Sequence, residues 1–252
     1  MSKTKQNRIV IIPDLQIPYH HPKSLATFIE FVKDYKPTQL WCVGDELDAP
    51  EPSRWNKGYA GEYAGTLQDS IDETHDIMLR FRNALGWDKP FIIQRSNHTD
   101  RIENYVTKYA PAFEPLRDIK VENLLGYSDL GITYLHRMKE IVPGWVMAHG
   151  DEGRLSKVPG STALSLAHTI GKSVVCGHTH RLGIQHETTG LYGNNKTIFG
   201  LEVGHMMDIK QASYLTSGVA NWQQGFGLLV QNKQNKYVPY TVPMINGDIQ
   251  LP

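Results

Sequence analysis

Arg8-Ile9-Val10-Ile11-Ile12-Pro13-Asp14 is a short β-branched run that stops at a carboxylate. A run with no polar face reads as a strand buried on both sides, and it delivers Asp14 at its carboxyl end. The pattern recurs. Gln39-Leu40-Trp41-Cys42-Val43 leads into Gly44-Asp45, and Phe91-Ile92-Ile93 leads into Arg95-Ser96-Asn97-His98. Trp145-Val146-Met147-Ala148 leads into His149-Gly150, and Ser173-Val174-Val175-Cys176 into Gly177-His178-Thr179-His180. Five apolar runs therefore end in a residue able to bind metal.

Helices are expected between the strands. Leu25, Phe28, Ile29 and Val32 fall at i, i+3, i+4 and i+7, and Pro37 closes that pattern. Leu67, Ile71, Met78 and Leu85 place an amphipathic helix over residues 66–85. Alternating strands and helices argue for α/β layers, and the tail adds strands over residues 197–203, 226–231 and 237–242. A chain of 252 residues suits one domain with a sizeable core. Residues 49–65 hold Pro50, Pro52, Gly58, Gly61 and Gly65 among Trp55, Tyr59 and Tyr63. So long a turn-rich segment is read either as a functional insertion on the substrate side or as an ordinary surface excursion.

Lysine plus arginine equals aspartate plus glutamate, 26 against 26, so no global field draws the chain to nucleic acid or a membrane. Cys42 and Cys176 each lie within an apolar run, which fits buried free thiols better than a disulfide framework. No stretch approaches the roughly 18 apolar residues of a membrane span, and residues 1–8 lack the apolar core of a signal peptide. The expectation is a cytoplasmic protein with no membrane partner.

Ligands at the carboxyl ends of separate strands converge on one edge of an open α/β sheet. Here they are Asp14, Asp45, Asn97, His149, His178 and His180. Carboxylate, amide and imidazole suit a borderline or hard divalent ion, and six such ligands exceed what one catalytic zinc uses.

Together Asp14-Leu15-Gln16, Gly44-Asp45-Glu46-Leu47-Asp48, Asn97-His98, His149-Gly150 and Gly177-His178-Thr179-His180 resemble the five ordered blocks of calcineurin-like metallophosphoesterases. The resemblance covers about two thirds of the chain, and all five blocks appear in order. It implies a four-layer αββα sandwich of two mixed sheets flanked by helices. It also implies two divalent ions, manganese first, with iron, zinc, nickel or cobalt as alternatives. By the same resemblance Asp14 and His180 hold one ion, Asn97, His149 and His178 hold the other, and Asp45 bridges them. Two such cations about 3.5–4 Å apart lower the pKa of a shared water from about 15.7 toward roughly 7, which makes hydroxide the expected nucleophile. His98 would protonate the departing oxygen. Asp48, three residues after Asp45, reads as an orienter that accepts a hydrogen bond from His98 or a ligand.

The pattern departs from the family at Gln16, after the bridging block, and at Ser96, which precedes Asn97-His98 where the phosphoprotein-phosphatase branch has glycine. The first block ends in Gln16 where histidine is usual, so Gln16 is a neutral and weaker ligand, with His20 or His21 as distant substitutes. The arginine that follows the bridging block in the phosphoprotein-phosphatase branch is missing, since the chain has Asp48-Ala49-Pro50. Without that bidentate clamp a phosphodiester becomes the better substrate than a dianionic monoester. The expected reaction is therefore phosphodiester hydrolysis on nucleic acid or a nucleotide. A phosphomonoesterase, supported best by Arg95, and a silent scaffold are the rivals. Arg54, Trp55, Tyr59, Tyr63, Arg95, Arg101, Lys108 and Trp222 are the residues available to contact such a substrate. Taken singly, Tyr105 and Tyr109 read as helix-core residues. His136, His168 and His205 carry no assignment.

Overall fold

The computed structural model describes residues 6–52, 66–211 and 220–251. In chain order its strands are β1 (Arg8–Ile12), β2 (Gln39–Cys42), β3 (Phe91–Gln94), β4 (Ile132–Leu135), β5 (Lys139–Val142), β6 (Trp145–Met147), β7 (Ser173–Cys176), β8 (Leu182–Thr189), β9 (Lys196–Val203), β10 (Gly225–Gln231), β11 (Tyr237–Ile245) and β12 (Asp248–Ile249). The helices are α1 (Pro22–Tyr35), α2 (Leu67–Leu85), α3 (Asp100–Tyr109), the short α4 (Val121–Leu124) and α5 (Ser161–Ile170).

The strands form two sheets, in the orders β12-β11-β10-β1-β2-β3-β4 and β5-β6-β7-β9-β8. Both are mixed: β1 to β4 run parallel while β10 joins β1 antiparallel, and β6, β7 and β9 run parallel between antiparallel β5 and β8.

Successive residues of a strand point to opposite faces, and β1 feeds two cores in this way. Ile9 and Ile11 pack with Trp41, Met147, Val175 and Leu201 between the sheets. Val10 and Ile12 pack with Phe28, Met78 and Phe81 of α1 and α2 on the outer face. On the far side, Ala163, Leu166 and Ala167 of α5 cover Val146, Val174 and Cys176. The layers are helix, sheet, sheet, helix, as the resemblance implied.

The helical periodicities explain the docking. Leu25, Phe28, Ile29 and Val32 are the apolar residues that α1 buries, and Ile71, Met78 and Leu85 are buried in α2. Thr66 starts α2 with a capping box, accepting from the Asp69 amide while Asp69 accepts in return. Losing a fully buried ring such as Phe81 would cost about 3–5 kcal/mol.

Cys42 and Cys176 are buried free thiols. Among the described residues no helix is long and apolar enough to cross a membrane. Of the expected insertion at residues 49–65, residues 53–65 lie outside the described residues.

Candidate metal centre

The turns that follow β1, β2, β3, β6 and β7 meet at one rim. Gln16 N donates to Asp45 O (2.8 Å), Gly177 N to His149 O (2.8 Å) and Met206 N to Asp14 O (2.8 Å). Gln16, Asp45, His178 and His180 all adopt left-handed backbone, with φ of 57°, 53°, 64° and 57°. Side-chain-bearing residues avoid this region, and such strain concentrates at functional sites. Gly177 serves a different need. A Cβ there would lie 2.0 Å from Asp14 Oδ1 and 2.6 Å from Val43 Cγ2, so only glycine lets Asp14 enter the site.

Two ligand groups result. Ligand atoms of Asp45, His149 and His178 lie within 4.8 Å of one another, as do those of Asp14, Asp45 and His180, so Asp45 belongs to both. Asn97 Oδ1 joins the first group, 2.8 Å from His149 Nε2 and 3.0 Å from His178 Nδ1. Gln16 joins the second, with Nε2 3.0 Å from Asp45 Oδ2 and 3.5 Å from His180 Nε2. The amide nitrogen faces the ligands, while Oε1 is buried and unpartnered; half a turn of the amide exchanges them. Asp14 Oδ1 is also buried without a partner. Buried lone pairs left over in a set of two carboxylates, two amides and three imidazoles fit divalent cations.

Protonation reflects the same crowding. Burial and the neighbouring Asp45 carboxylate raise the Asp14 pKa well above the usual carboxylate range. Burial also pushes Asp45 upward, but His149, His98 and His178 together outweigh it and hold Asp45 well below that range. His149 is pushed up to about 10, because Asp45 overcomes the desolvation that would lower it. Burial lowers His178 and, further, His180. His149 Nδ1 donates to Val43 O (2.9 Å), which turns Nε2 toward Asn97 and Asp45.

Beside the ligands stands His98. Its Nδ1 lies 2.6 Å from Asp48 Oδ1, a short contact too bent for an aligned hydrogen bond. Its Nε2 accepts from Arg101 Nη2 (2.9 Å) and lies 3.8 Å from Asp45 Oδ2. A guanidinium only donates, so the proton of a neutral His98 sits on Nδ1, facing Asp48.

The candidate substrate contacts are placed unequally. Arg95 is held between Asp100 (2.7 Å) and Asp151 (2.7 Å), two carboxylates that compensate its charge. Arg101 sits at the site. Arg54, Trp55, Tyr59 and Tyr63 lie outside the described residues. The Trp222 ring is 4.4 Å from that of His180. His20 lies 3.8 Å from Glu73 and His21 caps α1, so neither stands in for the histidine that Gln16 replaces. Tyr105 and Tyr109, read as helix core, are instead exposed at 48% and 53% because α3 buries only Ile102.

Two residues escaped the sequence reading. Buried Glu202 on β9 accepts from Thr179 Oγ1 (2.8 Å) and from the Thr162 and Ala163 amides. His205 is buried with its ring 5.3 Å from that of His180, and Met207 N donates to its Nδ1. One signal was available: residues 197–203 form a sixth apolar run, and it ends in Gly204-His205.

No family model matches the chain. It is 37% identical over 243 residues to the Gene 54 protein of Mycobacterium phage D29, covering 95% of this chain and 94% of that one. The Gene 54 protein of Mycobacterium phage L5 is 36% identical over 245 residues, with the same coverage of 95% and 94%. Among solved structures, Vacuolar Protein Sorting 29 from Cryptosporidium parvum aligns with a TM-score of 0.50 at 16% identity, over 97% of this chain and 95% of that one, a likeness of fold alone.

Proposed function

Because the chain belongs to the family of the phage Gene 54 proteins and is built on the calcineurin-like metallophosphoesterase fold, we propose that it is a two-metal phosphodiesterase acting on nucleic acid or nucleotides. The observation that carries this reading is the membership of Asp45 in both ligand groups, with His98 3.8 Å away. Asp14, Asp45, His180 and Gln16 would hold one divalent ion, and Asp45, Asn97, His149 and His178 the other. When bound, the pair would neutralise phosphoryl oxygens and acidify the attacking water, manganese being the first candidate.

The residues of the chain do the rest. Asp48 faces the Nδ1 side of His98, so that Nε2 faces the ligands, and the acid is the ring carrying a proton on both nitrogens, whose Nε2 proton passes to the leaving oxygen. Arg101 occupies Nε2 and must leave it as substrate enters, which frees its guanidinium for a phosphoryl oxygen. The pairing of Arg95 with Asp100 and Asp151 supports the diester, since a monoanion needs fewer cations than a dianionic monoester.

A second reading has one observation in its favour: Gln16 turns an amide nitrogen into the second group, that of Asp14, Asp45 and His180, which favours a silent scaffold whose ion there is poorly held. Hydrolysis of bis-p-nitrophenyl phosphate and of p-nitrophenyl phosphate in manganese, with Asp45→Asn and His98→Ala as controls, separates these cases. A diester preference abolished by Asp45→Asn is expected. Monoester preference would overturn the diesterase, and manganese binding without turnover would leave the scaffold.

A further inference from the structure

Arg181 follows the ligand His180 directly, and the backbone there is pinned on several sides. The Arg181 amide donates to Thr179 Oγ1 (3.3 Å), its carbonyl accepts from Gly204 N (2.8 Å), and the His180 carbonyl accepts from Gln223 N (3.0 Å). The side chain is half-buried. Its Nε is wholly buried without a hydrogen-bond partner, and among the described residues no carboxylate lies within ion-pair distance of the guanidinium. A buried donor left unsatisfied is costly, and one that carries charge more so, unless an anion completes it.

Other charged groups beside the ligands are already committed within the chain. Arg95 is held by Asp100 and Asp151, and Arg101 donates to His98 Nε2 and to Asp48 O. Glu152 accepts from the His149 (3.3 Å) and Gly150 (2.7 Å) amides, and Glu202 from Thr179 Oγ1. Lys157 is the exception. Its carbonyl accepts from Asn221 Nδ2 (3.2 Å), and Asn221 precedes Trp222, whose ring centroid is 4.4 Å from that of His180. Lys157 is exposed, and among the described residues no carboxylate lies within ion-pair distance of it. Two cations therefore stand uncommitted on the His180 side of a centre that suits an anionic ester, in a chain with no net charge.

We propose that Arg181, together with Lys157, forms a subsite for the phosphate next to the scissile one along a nucleic-acid strand. The inference rests on the phosphodiesterase reading and narrows its substrate to an oligonucleotide. A cyclic nucleotide or a mononucleotide ester brings a single phosphate, which the ions would take, and leaves Arg181 without a partner. A neighbouring phosphodiester offers two oxygens to the planar guanidinium fork, and the Lys157 ammonium adds a point charge. Contacts to the backbone carry no base preference and weaken with salt.

The test is calorimetric titration of the manganese-loaded full chain with dithymidylate and trithymidylate whose linkages are phosphorothioates, which resist hydrolysis. The trimer, with its second linkage, is expected to bind at least about tenfold more tightly than the dimer. Most of that gain should disappear in Arg181→Ala and part of it in Lys157→Ala, while Arg181→Lys, which keeps the charge without the fork, retains some. Lys33→Ala, an exposed lysine on α1, is expected to keep all of it. The salt slope of trimer binding should fall by about one in Arg181→Ala. The subsite is overturned if dimer and trimer bind alike, or if Arg181→Ala keeps the whole gain. Should Arg181→Ala not fold, Arg181→Lys and Lys157→Ala decide, and an undiminished gain in both overturns it. Hydrolysis of bis-p-nitrophenyl phosphate is read separately. Turnover without a trimer gain would remove the subsite and leave the diesterase, whereas a gain without turnover would remove the diesterase and leave the phosphate subsite.

Discussion

The Glu202 carboxylate accepts a 2.8 Å hydrogen bond from Thr179 Oγ1, and Thr179 is the residue between the two histidines His178 and His180. Its other oxygen accepts from the amides of Thr162 (2.8 Å) and Ala163 (3.4 Å) at the start of α5. One buried side chain on β9 therefore ties the histidine turn to a helix N-terminus, where an anion is stabilised by the unpaired amides and the helix dipole.

From this follows a split effect. Thr179→Val is expected to weaken manganese binding by roughly 10–100-fold with little loss of stability, whereas Glu202→Ala should weaken it as much and also lower the melting temperature. Calorimetric titration and thermal unfolding measure the two effects. Equal metal affinity in Thr179→Val and the unaltered protein would show that the bond does not position the ligands.

The contact between Asp48 and His98 bears on turnover and not on metal. His98→Ala is expected to lower the rate with a poor leaving group by about 10²–10⁴, and much less with p-nitrophenolate, at unchanged manganese content. Asp48→Asn should cost roughly 10–100-fold on the same substrates. If both substrates suffered equally, His98 would not be the acid.

Gly177 should tolerate no Cβ, since alanine would sit 2.0 Å from Asp14 Oδ1. Gly177→Ala is expected to displace Asp14 and to lower manganese affinity at that group by about tenfold or more, seen as loss of one binding phase in a titration. An unchanged isotherm would mean that Asp14 is not a ligand.

Metal binding should release protons. His149, at about 10, is protonated near neutrality, and burial beside Asp45 raises Asp14 in the same direction, while a cation can bind only the deprotonated forms. Manganese affinity is expected to rise with pH between about 6 and 9, with net proton release in buffers of different ionisation heat. Absence of release at pH 7 contradicts the assignment.

His205 sets an acid limit on stability. Burial pushes its pKa down to about 4 from the ordinary 6.5, so the unfolded chain takes up a proton that the folded chain refuses. Its contribution is complete above pH 6.5 and is lost as pH falls toward 4; at about 1.4 kcal/mol per pH unit this reaches roughly 3 kcal/mol. Urea unfolding of the metal-free protein should show a shallower loss over that range in His205→Asn. Parallel curves would contradict the buried neutral imidazole.

Much of the architecture was legible in the residues. Every strand read from an apolar run, β1, β2, β3, β6, β7, β9, β10 and β11, lies inside a sheet, while β4, β5, β8 and β12, which went unread, are the four edges. An interior strand is apolar because neighbours cover it. An edge strand such as β8, with no residue fully buried, carries little of that signal. The ligand types at Asp14, Asp45, Asn97, His149, His178 and His180 were equally visible, because a residue at a strand end is local information.

What only the tertiary structure decided is which of these atoms meet. Asp45 joins two groups because turns from two sheets are stacked rim to rim, and no spacing along the chain reports that. That Arg95 pairs with Asp100 and Asp151 is set by the fold, and Tyr105 and Tyr109 looked like core until α3 turned them outward. Glu202 and His205 acquire roles only by packing against Thr179 and His180, 23 and 25 positions earlier. Sequence periodicity reports burial along one element. Charge pairing and ligand convergence belong to pairs of elements, and folding alone brings those together.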